Sequence, residues 1–179
     1  MKMKKSFYLL VLLVVPSFSS AQEHRSPYAG EERREIKALS ADEVKAYLNG
    51  QGAGLAKAAE LNNYPGPLHV LELSAQLRLT ETEKAKIEQV RDVMLRDAIR
   101  LGKLIVEKEG DLDKLFAGRK IDEAQLRSRV AEISSLQGEL RVVHLRAHLE
   151  MVRILTPEQV KRYAEMRGYE NGAGLHEHR

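Results

Sequence analysis

From Glu81 to Gly118 the apolar residues recur in mostly three- and four-residue steps, through Ile87, Val90, Met94, Ala98, Leu101, Ile105, Leu112 and Leu115, with polar side chains between them. That spacing is the period of one helix face, and a single lysine, Lys108, interrupts it. A second stripe of the same period follows through Leu126, Val130, Ile133, Leu136, Leu140, Val143, Ala147, Met151 and Ile154. Two helices of about 35 residues, each on the order of 50 Å long, joined by only a few residues, must lie antiparallel. Gly102 and Gly110 lower helix propensity within the first, and Gly110 is a candidate bend. No alternation of β-strand type occurs anywhere, so the pattern predicts an all-α fold.

The ends of these helices are marked by capping boxes, in which a side chain at the N-cap and one three residues on satisfy each other's backbone N–H groups. Leu79-Thr80-Glu81-Thr82-Glu83 opens the first long helix, and Asp122 with Gln125 opens the second. Leu155-Thr156-Pro157-Glu158-Gln159 opens a last short helix, to about Met166 before Gly168. In that copy Pro157 falls at the first helical position, where its missing N–H costs nothing, and Leu155 can staple onto Val160. In the first copy Lys84 holds the staple position. A further box, Ser40 with Glu43, opens a short helix from Ala41 to Asn49, ended by Gly50. Pro67 opens another to about Leu77, and the alanine-rich piece between them is flanked by glycines and by Asn62-Asn63-Tyr64-Pro65-Gly66.

A lone hairpin of two helices buries little core for its length. Val93, Leu95, Ile99, Leu104 and Val106 lie outside the main stripe and predict a second buried face. A homodimer interface accounts for it more simply than a client-binding surface.

The start of the chain alters the charge picture. Lys2, Lys4 and Lys5 precede an apolar run from Phe7 to Val15, then Pro16 and Ser19-Ser20-Ala21, the pattern of an export signal cleaved near Ala21. The run is shorter than a membrane span requires, and no later segment is apolar enough. The chain carries 29 Lys and Arg against 26 Asp and Glu, so those three lysines account for the formal charge of +3. What remains is neutral with both signs interspersed, which argues against nucleic acid as a partner. There are no cysteines, so disulfides, thiolate metal sites and cysteine catalysis are excluded. The reading is therefore a signal over residues 1–21, a tether with a short helix over 22–66, the hairpin domain over 67–168 and a flexible His-containing tail over 169–179.

An exported, cysteine-free helical hairpin with a Leu-Thr-x-x-Gln-type box at two of its turns resembles the Spy/CpxP superfamily, which includes the ZraP and CnrX-type heavy-metal proteins. The resemblance covers roughly residues 67–168 and rests most firmly on Leu155, Thr156 and Gln159. The box of Leu79, Thr80 and Glu83 departs from it by carrying Glu83 where the family has Gln, a change that preserves capping. The resemblance implies a hooked, usually dimeric hairpin acting in the periplasm in envelope stress or metal resistance, and it implies no enzyme.

His144 and His148 are one helical turn apart, so both rings project from one face and could share an ion. A packed His144 beside a solvated His148 is the purely structural reading of the same pair. Glu150 and Met151 follow, and His69 with Glu72 shares a face of the helix opening at Pro67, which the hairpin brings toward the end of the second long helix. His69, Glu72, His144, His148 and Met151 are thus a candidate set for Zn, Cu, Ni or Co, and CnrX-like sensors resemble this layout. Gln22-Glu23-His24 at a new N-terminus, and His176 with His178 in the tail, are weaker candidates. Ser134 and Ser135 near His144 lack an oxyanion donor or orienting acid, so no catalytic residues are assigned. The leading expectation is a periplasmic metal-binding resistance or sensor protein. The runner-up is an ATP-independent chaperone for unfolded envelope proteins, followed by an inhibitor docking onto a membrane-bound sensor kinase.

Overall fold

A computed structural model of the chain describes residues 25–169; the segment expected to be an export signal, the Gln22-Glu23-His24 triplet and the His176–His178 pair lie outside them. Residues 25–32 belong to a small unit of their own, and a 3-10 turn, Glu31–Arg33, lies at its boundary. The larger unit, from Arg33 on, carries six helices and, among the described residues, no strand.

They are α1 (Ala41–Leu48), α2 (Lys57–Glu60), α3 (Pro67–Glu72), α4 (Glu81–Ala117), α5 (Glu123–Ile154) and α6 (Pro157–Met166). α4 and α5 form the antiparallel hairpin that the two stripes predict. All four capping boxes are made, at Ser40 with Glu43, Thr80 with Glu83, Asp122 with Gln125 and Thr156 with Gln159. The Lys108 interruption is a cross-helix ion pair, with Nζ 3.1 Å from Glu132 on α5.

Two details differ from the sequence reading. α3 stops at Glu72, not near Leu77, because turns take over and Arg78 adopts a left-handed φ of 53°. There the Leu79 N–H donates to the Ser74 carbonyl and the Arg78 N–H to Ala75, the pairing that closes a helical stretch. α4 also runs unbroken through Gly102 and Gly110. Gly102 serves close approach: a Cβ there would occupy the place of the Tyr47 carbonyl on α1.

The N-terminal segment accordingly packs on the hairpin. Gly50, with φ 62°, closes α1 and sets its end against Leu95 and Ile99 of α4. Those two positions, read from the sequence as part of a dimer or client face, are covered by the chain's own α1. Val93 stays 42% exposed.

Two apolar clusters hold the unit together. Near the open end of the hairpin, Val70, Leu77, Leu79, Ile87, Met151, Leu155 and Tyr163 are buried together, with Val160 against them. Farther along, Ala98, Leu101, Ile105 and Leu140 form the second, flanked by Tyr47 and Leu55. Each fully buried aliphatic side chain contributes about 1.5–3 kcal/mol. Between the clusters, α5 presents two histidines where an apolar core would place leucines.

Candidate metal centre

The spacing of His144 and His148 puts both on the face of α5 that receives the segment between α1 and α3. Both are buried, at 4% and 7% exposure, so the solvated His148 of the purely structural reading is not found. Its position explains why. The His148 Nδ1 lies 2.7 Å from the Tyr64 carbonyl, and a carbonyl only accepts, so Nδ1 carries the proton. In the neutral ring the lone pair is then on Nε2. This is the arrangement by which backbone carbonyls orient metal-binding imidazoles.

His144 stands one turn earlier. Its Nε2 is buried without a hydrogen-bond partner, a costly condition for a polar atom. Burial first, and the neighbouring His148 second, push its pKa below the ordinary histidine value, which keeps the ring neutral and able to act as a ligand.

A cavity of about 700 Å³ lies between this face of α5, α4 and the segment from Asn49 to His69. His69, His144 and His148 all line it, together with Glu60, Met94, Leu95, Arg91 and Lys57. The three histidines named from the sequence therefore share one cavity, drawn from α3 and α5. Glu72 does not line it: it stays on the outer face of α3, where its Oε2 lies 2.8 Å from His69 Nδ1. Met151 does not line it either. It is fully buried in the apolar cluster with Val70, Ile87 and Tyr163, because its place on α5 faces α3, α4 and α6.

Met94 and Glu60, on the other hand, do line the cavity, with a thioether and a carboxylate. Glu60 Oε1 accepts from the hydroxyls of Tyr163 at 2.6 Å and Tyr169 at 2.9 Å, and Oε2 is 3.7 Å from His148 Nδ1. Burial and the bond to Glu60 push the Tyr163 pKa well above its ordinary value, so it remains a donor. Met94 was legible as a stripe position but not as a cavity residue. Glu60 could have been noticed as the sole acidic residue between Gly50 and Pro67.

As the side chains stand, no group of three or more His, Cys, Asp or Glu among the described residues is close enough to hold an ion. The donor types fit a borderline divalent transition metal, being neutral imidazole, carboxylate and thioether. The residues that would hold it are His144 and His148, with His69 across the cavity; such an ion would draw the imidazole nitrogens inward.

The two Leu-Thr boxes close the end of the hairpin beside this cavity. Thr80 and Glu83 cap α4, and Thr156 and Gln159 cap α6, while Leu79 and Leu155 are buried in one cluster. Gln159 Nε2 reaches both the Leu77 carbonyl, at 3.4 Å, and Glu83 Oε1, at 3.5 Å. On the other side of the hairpin a groove of about 230 Å³ between α4 and α5 is lined by Val90, Val93 and Val143 with Asp97, Arg146 and Glu150. No described helix is long and apolar enough to cross a membrane.

A family model described as heavy-metal resistance matches residues 8–162, and the chain belongs to that family. No curated protein and no solved structure matches the chain.

Proposed function

We propose that this member of the heavy-metal resistance family binds a divalent transition-metal ion through His144 and His148, with His69 completing the set, and acts as a periplasmic resistance or sensor protein, not an enzyme. One observation carries the reading: three histidines from two elements line one cavity, two of them buried. Of those two, one has its Nδ1–H fixed by a carbonyl and the other a nitrogen with no partner. An apolar core gains nothing from such residues, since each buried unpaired polar atom costs about 1–3 kcal/mol.

Binding an ion at the floor of this cavity would tie α5 to α3. That is a means of shifting the packing of the N-terminal segment on the hairpin. The test is calorimetric titration of the mature chain with Zn(II), Cu(II), Ni(II) and Co(II), repeated on a variant with His69, His144 and His148 replaced by Gln. Stoichiometric binding lost in a still-folded variant supports the reading. Binding that is absent, or unchanged by the substitutions, sinks it.

A second reading, an ATP-independent chaperone, is favoured by a different observation. Val93, Val142 and Leu149 are exposed on the long helices, beside the groove rimmed by Asp97, Arg146 and Glu150. Suppression of client aggregation that survives the histidine substitutions would favour it.

A further inference from the structure

His144 and His148 are covered by one strap of chain, residues 51–66, which crosses α5 at two glycines. A Cβ on Gly52 would stand 3.5 Å from His144 Nδ1, and one on Gly66 would stand 3.1 Å from His148 Cε1. Both imidazoles are buried beneath it, so a shift of the strap widens their access to solute beyond what the cavity gives. The strap has few apolar anchors. Leu55 packs on the second cluster and Pro65 is buried, but Leu61 and Tyr64 are exposed. Its only helix is a single turn, and left-handed φ values at Ala53, Gly54 and Asn63 mark it as a series of turns.

Besides the Tyr64 carbonyl, which accepts from His148 Nδ1 at 2.7 Å, and the Gly66 N–H, 3.5 Å from the Tyr163 hydroxyl, its polar attachment is one carboxylate. Glu60 Oε1 takes hydrogen bonds from Tyr163 on α6 and from Tyr169 beyond it, and the Arg167 Nε lies 3.6 Å away. Hydrogen bonds to an ionised acceptor are among the strongest a side chain makes. Regions with few apolar contacts open locally, at a free energy set by the ties they do have.

We propose that Glu60 is a latch, holding the strap to α6 and its C-terminal extension and so setting how often His144 and His148 become accessible. It deepens the metal reading and rests on the same cavity as the binding site, yet its test needs no metal. Diethyl pyrocarbonate acylates accessible imidazole nitrogens, and the rate at each histidine of the whole chain is read by peptide mass spectrometry. In Glu60→Ala the rates at His144 and His148 rise by about tenfold or more, and in Tyr163→Phe/Tyr169→Phe by a smaller factor. His69, already partly exposed, keeps its rate and serves as the internal control.

Rates at His144 and His148 that stay at the wild-type values in a folded variant overturn the latch. If Glu60→Ala does not fold, the double tyrosine variant decides alone, unchanged rates there having the same meaning. Zn(II) titration of the same proteins separates the two ideas. Raised acylation in the variants, with a wild-type chain that takes up no Zn(II), removes the metal reading and leaves the latch supported.

Discussion

Gln159 Nε2 lies 3.5 Å from Glu83 Oε1, so the box that opens α6 donates to the box that opens α4. The two similar motifs are therefore one structural unit, although 76 positions separate these residues. Glu at position 83 suits this role, because a carboxylate accepts from the Thr80 N–H and from the Gln159 amide at once. A double-mutant cycle of Glu83→Ala and Gln159→Ala, followed by urea denaturation, is expected to show a coupling of about 0.5 kcal/mol or more. Strict additivity would show that the boxes act separately.

The same carboxylate makes the junction acid-sensitive. The hydrogen bond from the Thr80 backbone N–H, foremost, and then those from the Thr80 hydroxyl and Gln159 hold the Glu83 pKa below its ordinary value of 4.5, against a smaller opposing effect of burial. A depressed folded-state pKa means that the unfolded chain takes up the proton first. This stabilisation is therefore present above the ordinary value and lost as pH falls through the folded one. Urea midpoints of wild type and Glu83→Gln should converge as the pH is lowered below 4.5. A gap independent of pH contradicts the assignment.

His144 works over a higher range. Its pKa is depressed by burial and then by His148 from the ordinary 6.5, so below that value the unfolded state binds a proton that the folded state refuses. Stability contributed by the neutral ring is complete above 6.5 and declines as pH falls toward the folded value. His144→Leu should flatten the slope of stability against pH in this window. The check is a series of urea melts at closely spaced pH.

Gly102 and Gly138 separate two roles of a helical glycine. Alanine at an open helical site stabilises by up to about 1 kcal/mol, and nothing lies near a Cβ at Gly138, so Gly138→Ala should raise the urea midpoint. Gly102→Ala should instead lower stability by about 1–3 kcal/mol, because the new methyl meets the backbone of α1 at Tyr47.

The hairpin itself was legible from its stripes, and all four N-caps from their sequence boxes, since both are local signals with a helical period. Three features were not legible, for one physical reason. Gly102 looks like a weak helix residue until α1 crosses it. Leu95 and Ile99 look like an interface until Gly50 seats against them. Glu60 looks like a solvated charge until Tyr163, 103 positions away, donates to it. Each depends on a partner far along the chain, which periodicity cannot report. Of the five candidate ligands, His69, His144 and His148 share the cavity, while Glu72 faces outward and Met151 serves the core.

Tyr163→Phe removes the hydroxyl's bonds to Glu60 and to the Gly66 N–H while keeping the ring in its cluster. Loss of a hydrogen bond to a charged acceptor costs about 1.5–3 kcal/mol, and this substitution should do so in thermal or urea unfolding. A change near zero would show that the Tyr169 hydroxyl alone satisfies the carboxylate.

The proposed metal site turns on the nitrogens of two side chains, and long-range proton–nitrogen NMR of the histidine rings reads them one by one during a Zn(II) titration. The expected result is a stoichiometric shift of His148 Nε2 and of one His144 nitrogen, with the His148 Nδ1 proton kept on its bond to Tyr64. Ring resonances of His144 and His148 that do not move with one equivalent of metal would contradict it.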